Sequence, residues 1–317
     1  MISFRYHIVS IVSVFLALAV GVALGGGPLK GEVDNTLVSQ VQTDRQTKLA
    51  LQSQITALRS SNTFTDDFAK TVAPGLIGGT LRGRVVTLVV LPTATQSDVS
   101  GLTDLVGVAG GTVSGTVRIG DQLVDAGDKQ LVDELGNQLE SRAPDVDIAP
   151  DASPYERIGA LIARAIGTDV DQGAPVDGPA TSILAGLSTT SLMSAEGKLK
   201  RRGSLLLFVT GPGQGTAQQR QGASTIVSTL VDAVDQNTDG VVLAGPVASA
   251  RAGGQVKAVR DDVKVSRDVS TVDALGRSAG QVVAVMALAG QAAGRTGQYG
   301  AVDAPDGAMP GAQSATE

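Results

Sequence analysis

Gly211-Pro212-Gly213-Gln214-Gly215-Thr216 joins an apolar run to a helical pattern, the arrangement in which backbone N–H groups at a helix start can cradle a phosphate. The stretch lacks the Gly-Lys-Ser/Thr ending of a P-loop, and the next apolar run, Val241–Ala244, leads into Gly245-Pro246 with no acidic residue to hold a ribose. A tight turn is therefore preferred over a nucleotide site. His7 is the single histidine and cysteine is absent, so neither a Ser-His-Asp nor a Cys-His centre can be built in the body of the chain. The acid pairs Asp66-Asp67 and Asp261-Asp262 are neighbours in sequence, and neighbours on a helix point apart, so both are expected as solvated surface. Arg201-Arg202 is expected as a loop of solvated charge before a strand. Copper(I) favours Cys or Met sulfur, but Met193, Met286 and Met309 are scattered. Catalytic residues: none; cofactor-binding residues: none; metal ligands: none; no cofactor is expected, and the chain is expected not to be an enzyme. An exported enzyme working through carboxylates is the remaining catalytic alternative.

Composition narrows the partners. Aromatic residues make up 3% and Trp is absent, which leaves little rigid surface for stacking nucleobases, and a formal net charge of -6 lacks the Lys/Arg stripe that displaces counterions from phosphate. Nucleic acid is not expected as a partner. The 42% hydrophobic content is mostly aliphatic, enough for a large core in a chain of 317 residues.

The elements begin with an anchor. Ile8–Gly25 is eighteen residues without a charge, reaching ~27 Å as a helix, close to the thickness of a bilayer's hydrocarbon core. Arg5 precedes it and Glu32 and Asp34 follow, so the positive-inside bias places residues 1–7 in the cytoplasm, residues 8–27 in the membrane and the remainder outside the cytoplasm. A cleavable signal peptide, with Ala23-Leu24-Gly25 as its cleavage site, and a buried core helix are the alternatives; a retained anchor is preferred because the apolar run exceeds a signal peptide's usual length. Residues 28–70 read as a coiled-coil stalk. Leu37, Val41, Leu51, Ile55 and Leu58 keep heptad spacing, with Asp44 and Lys48 at the two seam positions between, and a homodimer through this stalk is implied. An amphipathic helix packed on its own domain is the alternative.

Residues 71–294 read as an α/β domain with a mostly parallel sheet and helices on both faces. Arg84–Leu91 has the continuous β-branched content of a strand buried on both sides. A helix over Ser97–Ala109 and a strand over Thr112–Ile119 follow, then helices over Gly127–Arg142, Tyr155–Ile166 and Thr181–Lys198. Strand Leu205–Thr210, helix Thr216–Asp235 and strand Val241–Ala244 repeat the strand-helix-strand order as a weak internal duplication. Helix Ser249–Val259, an edge strand over Val263–Val269 and a helix over Val272–Ala293 close the domain, with Ser270 as N-cap and Asp273 as its capping-box partner. Gly280–Ala293 is too short for a second span and is expected in the core. An outer-membrane barrel needs alternation and aromatic girdles that the chain lacks. Residues 295–317 are expected as a flexible tail.

The opening MISFRYHIVSIVSVFLALAVGVALG, the stalk, the segment STVDALGRSAGQVVAVMALAGQAAG and the closing GRTGQYG together resemble the actinobacterial family of the mycobacterial copper transport protein B. The resemblance runs from end to end and implies a role in copper tolerance as an envelope protein, for which a pore has been described. A corynebacterial member, SteB, implies a second role, in cell separation as the partner of a membrane protein. The resemblance carries over no ligand or catalytic residue. The expectation is a single-pass cell-membrane protein serving copper homeostasis indirectly, through an envelope protein partner; the alternative is a coiled-coil scaffold that regulates cell-wall remodelling and cell separation.

Overall fold

The computed structural model describes residues 4–25 and 29–311, the side chains of residues 29–37 excepted. Two compact units follow from its contacts, 1–64 and 65–317, and each is taken by itself.

In the first unit, helix α1 (Phe4–Gly25) is long and apolar enough to cross a membrane, and none of its residues is buried against protein. It begins four residues before the uncharged run and so includes Arg5 and His7; residues 1–3 and 26–28 of the expected segments lie outside the described residues. Helix α2 (Leu29–Ile77) starts in this unit as the single long helix expected of a stalk. The seam residues Val41, Leu51, Ile55 and Leu58 are 47–64% exposed, while the side chain of Leu37 lies outside the described residues.

The second unit takes in the last turns of α2, where Ala69, Ala73 and Ile77 are buried. The helix therefore continues past the expected boundary at 70. The remaining elements are β1 (Val85–Val90), α3 (Gln96–Val108), β2 (Thr112–Ile119), α4 (Asp121–Val124), α5 (Lys129–Glu140), α6 (Pro154–Ile166), β3 (Ala174–Pro175), α7 (Gly178–Thr189), β4 (Met193–Ala195) and β5 (Arg201–Arg202). They continue with β6 (Leu205–Val209), α8 (Ala217–Asp235), β7 (Gly240–Ala244), α9 (Gln255–Asp261), α10 (Val265–Asp268), β8 (Ser270–Val272), α11 (Ser278–Gln291) and β9 (Gln298–Tyr299). The main sheet has seven strands in the order β4-β2-β1-β6-β7-β8-β9, parallel throughout except for antiparallel β4 at one edge.

Alternate residues of the central strands enter two separate cores. Leu205, Leu207 and Val209 of β6 face Ile77, Leu102, Val285 and Leu288, on the side of α3 and α11. Leu206 and Phe208 face Ile162, Leu230, Val231 and Val256, on the side of α6, α8 and α9. Burial on both faces is why these strands are continuously apolar. Thr87 is the polar exception in β1: its hydroxyl donates to the Ile166 carbonyl (3.1 Å) and accepts from the Gly203 amide (3.1 Å), so its burial leaves nothing unpaired.

Several expectations are corrected. The helix expected over 181–198 ends at Thr189, because Ser191 turns the backbone to a φ of 58° and the chain then runs as β4 beside β2. The edge strand expected over 263–269 is instead the short helix α10. The Asp262 carboxylate accepts from the amides of Lys264 (3.0 Å) and Val265 (3.3 Å) and so starts a helical turn there. Ser270 does not cap the last helix but lies in β8, where its hydroxyl accepts from the Gln291 side-chain amide (2.8 Å) and the Gly297 amide (3.1 Å). The segment after 295 is not wholly a tail: Gln298–Tyr299 forms an edge strand paired with β8. Residues 312–317 lie outside the described residues.

A buried ion pair fastens that closing strand. Arg260 and Asp273 meet at 3.0 Å with side chains 7% and 0% exposed. Asp273 also accepts from the amides of Ala301 (2.5 Å) and Val302 (2.9 Å), and Arg260 donates to the Tyr299 carbonyl (2.7 Å). Removing one partner strands a buried charge, so Asp273→Ala is expected to lower stability by ~3–5 kcal/mol and to release the amides of 298–302 to hydrogen exchange. Urea denaturation followed by circular dichroism checks the first effect and exchange mass spectrometry the second.

Asp235, near the end of α8, gives a pH dependence. Its burial, aggravated by Asp268 and Asp232, raises its carboxyl from 3.8 to about 6. Above that value the carboxylate is charged in both states and the folded state bears the penalty; as pH falls towards the unfolded value of 3.8 the proton binds and the penalty disappears. Asp235→Asn is expected to stabilise the protein at pH 7.5 by about 1–3 kcal/mol and to lose this advantage by pH 4, in denaturation curves at the two pH values.

Candidate functional site

The winding of the sheet fixes where a ligand could enter. From β1 the chain crosses through α3 to β2 on one side, and from β6 it crosses through α8 to β7 on the other. The two helices lie on opposite faces, as right-handed crossovers running in opposite directions require. The loops leaving the carboxyl ends of β1 and β6 therefore part, and the gap between them is the place where open α/β sheets bind ligands. A crevice of about 430 Å³ occupies it, with Leu91 and Val227 as apolar floor and Asp121, Asp125, Gln214, Gln218, Gln219 and Gln255 among its walls.

The loop singled out in the sequence, Gly211–Thr216, is one side of this crevice. Thr216 caps α8 in a full capping box: its hydroxyl accepts from the Gln219 amide (3.3 Å) and the Gln219 side chain accepts from the Thr216 amide (2.9 Å). The other side, Leu91–Thr93, holds an unusual residue. Thr93 has a φ of 74°, a left-handed conformation that a β-branched side chain resists. Its hydroxyl donates to the Pro212 carbonyl at 2.9 Å, tying the two loops together. Gly211 lies so close that a Cβ would fall 2.0 Å from the Thr93 carbonyl oxygen. Gln255 also lines the crevice; the residue is nine-tenths buried and its Oε1 has no hydrogen-bond partner.

No cationic side chain lines the crevice. Arg220, the nearest arginine in sequence, turns back to donate to the Gly215 carbonyl (2.7 Å). A phosphate would thus meet Asp121 and Asp125 without a counter-charge, and the site is not that of a nucleotide-binding loop.

The other residues named from sequence lie elsewhere. Asp66 is not solvated surface: its carboxylate accepts from the Ser278 amide (3.0 Å) at the start of α11 and pairs with Arg277 (3.4 Å), a charge placed where a helix N-terminus favours it. Asp67 is exposed, and Asp261 pairs with Lys257 (2.8 Å) at the surface. Arg201-Arg202 is not a solvated loop but strand β5. Arg201 donates to the Gly173 carbonyl (2.9 Å) and Arg202 to the Arg164 carbonyl (3.2 Å), and burial together with neighbouring Arg164 lowers the Arg202 pKa. Met193 packs in the core on one side of the sheet, Met286 against the core on the other, and Met309 is exposed. His7 is exposed on α1, and no group of three His, Cys, Asp or Glu side chains suited to a metal occurs among the described residues.

These features define an α/β protein with an open, doubly wound sheet, preceded by one apolar helix of membrane-spanning length. The chain belongs to the family described as "Copper transport outer membrane protein, MctB", whose model it matches over residues 1–310. It is 29% identical to the copper transporter MctB of Mycobacterium tuberculosis (strain H37Rv) over 313 residues, covering 95% of this chain and 96% of the relative. With the copper transporter MctB of Mycobacterium leprae it shares 28% identity over 322 residues, again 95% of this chain and 96% of the relative. The apolar helix fits a membrane anchor for an envelope protein of this family.

The clasp between the two loops is testable. Gly211→Ala forces its Cβ into the Thr93 carbonyl and is expected to cost ~1–3 kcal/mol. Gly276→Ala, where nothing lies within 4 Å, is expected to stay within ~0.5 kcal/mol of the parent. Thermal unfolding of the two variants side by side makes the comparison.

Proposed function

We propose that this protein serves copper homeostasis as a membrane-anchored, non-enzymatic envelope protein that acts on copper through a partner. In this reading residues 1–7 face the cytoplasm, α1 spans the membrane, and the α/β unit lies outside the cytoplasm. Family membership and the charge bias around α1 support the setting. The observation that carries the indirect role is the sheet itself: it is open, with β4 and β9 as its edges, and both of its faces are packed under helices. A barrel wall needs a closed sheet with one face towards lipid. A planar-bilayer recording in which the purified chain alone conducts ions would overturn the indirect role.

A second reading is a scaffold that docks another envelope protein and regulates cell-wall remodelling and cell separation. It is favoured by the exposed heptad seam of α2, whose Val41, Leu51, Ile55 and Leu58 suit a parallel coiled coil between two copies. Leu51→Asp combined with Ile55→Asp is expected to convert a dimer into a monomer in analytical ultracentrifugation of the detergent-solubilised chain. If copper tolerance survives this change while septation fails, the scaffold reading prevails; loss of copper tolerance with normal septation favours the first. A reporter active only outside the cytoplasm, fused after Glu317, should be active; silence refutes the orientation.

A further inference from the structure

We propose that the crevice between the β1 and β6 loops is a binding site for a small saccharide, an uncharged ligand rich in hydroxyl groups with one apolar ring face. The starting point is Gln255. A buried carbonyl oxygen without a donor costs about 1–3 kcal/mol, and the Gln255 Oε1 is such an atom, nine-tenths of its residue being out of solvent and its side chain forming part of the crevice wall. The oxygen itself is out of contact with solvent, so a ligand hydroxyl reaches it once the side-chain amide turns into the crevice, and a hydrogen bond donated there removes that cost.

The rest of the wall says what kind of donor. Asp121 and Asp125 present carboxylates, which only accept, and Asp125 satisfies one oxygen with the Gly127 amide (2.8 Å). An anionic ligand is repelled by these two charges, and no Lys or Arg lines the crevice to offset them. The opposite wall supplies side-chain amides, Gln214 and Gln218, whose NH₂ groups donate and whose oxygens accept. Gln219 has its oxygen engaged by the Thr216 amide, which leaves its NH₂ group as a donor. The ligand must therefore donate towards Gln255 and the carboxylates and accept from the amides. A hydroxyl does both, and neighbouring hydroxyls on a ring match the paired acceptor and donor walls.

Size and floor agree. About 430 Å³ is ample for one or two sugar rings, and Leu91 and Val227 offer an aliphatic surface to the C–H face of a ring. The Thr93–Pro212 hydrogen bond ties the two loops together, which lowers the ordering cost of closing the walls on a ligand.

The test uses the full chain in a detergent without a sugar headgroup, with glucose, galactose, mannose, N-acetylglucosamine and maltose as probes in saturation-transfer NMR and isothermal titration calorimetry. At least one probe is expected to bind with millimolar or tighter affinity. Gln255→Ala and Asp121→Asn are each expected to weaken that binding ~10-fold or more; Asp121 is exposed, so its amide variant keeps the assay valid if Gln255→Ala fails to fold. Absence of binding by every probe overturns the proposal. So does saccharide binding that both variants leave unchanged, which would place it elsewhere, or binding of inorganic phosphate in preference to the sugars. None of these outcomes bears on the copper reading, which the bilayer and tolerance measurements address separately.

Discussion

The pairing of β1 with β6 carries the rest of the fold. Each of these strands is buried on both faces, so each needs helices above and below it. Parallel pairing forbids a tight hairpin and forces each strand-to-strand connection out over one face. Because the crossovers from β1 and β6 run to opposite sides of the pair, α3 and α8 are sent to opposite faces and the loops leading to them diverge. The crevice is a consequence of that divergence rather than an addition to it.

Charge follows the same frame. At the amino ends of the strands Arg84 joins Asp171 (2.6 Å) and Asp239 (2.7 Å), and at the closing edge Arg260 joins Asp273, so each of these arginines has its counter-charge within the chain. At the carboxyl ends of β1 and β6 the diverging loops leave the crevice between them. The amino-end side carries these salt bridges together with the unpartnered Arg202 Nε, and the carboxyl-end side carries the crevice, with the buried Gln255 Oε1, two carboxylates and the left-handed Thr93 around it.

Much of this was legible in the sequence because it rests on local pattern. The uncharged run from Ile8, the helical spacing from Leu37 and the continuous apolar strands Val85–Val90 and Leu205–Val209 are periodicities of a few residues, and a helix or strand formed close to where each period placed it. The repeated strand-helix-strand order was also visible, although not that its two copies wind away from each other. Misreadings fell where short segments have weak periods: the helix expected over 181–198 stopped at Thr189, Val265–Asp268 formed a helical turn after the Asp262 carboxylate took up the Lys264 and Val265 amides, Ser270 joined β8, and Gln298–Tyr299 formed a strand through partners far away in sequence.

The sequence by itself determined the apolar helix of membrane-spanning length, the α/β class and the exclusion of histidine- and thiolate-based centres, since these depend on composition and on neighbours within a turn or two. Tertiary structure alone decided that Asp66 caps a helix more than two hundred residues away, that Arg260 and Asp273 hold the closing strand, and that Gln255 faces the loop Gly211–Thr216 across a crevice. The physical reason is that electrostatic pairing and hydrogen-bond satisfaction act over a few ångströms of space, and only the order of strands in the sheet brings residues that distant along the chain to within that range.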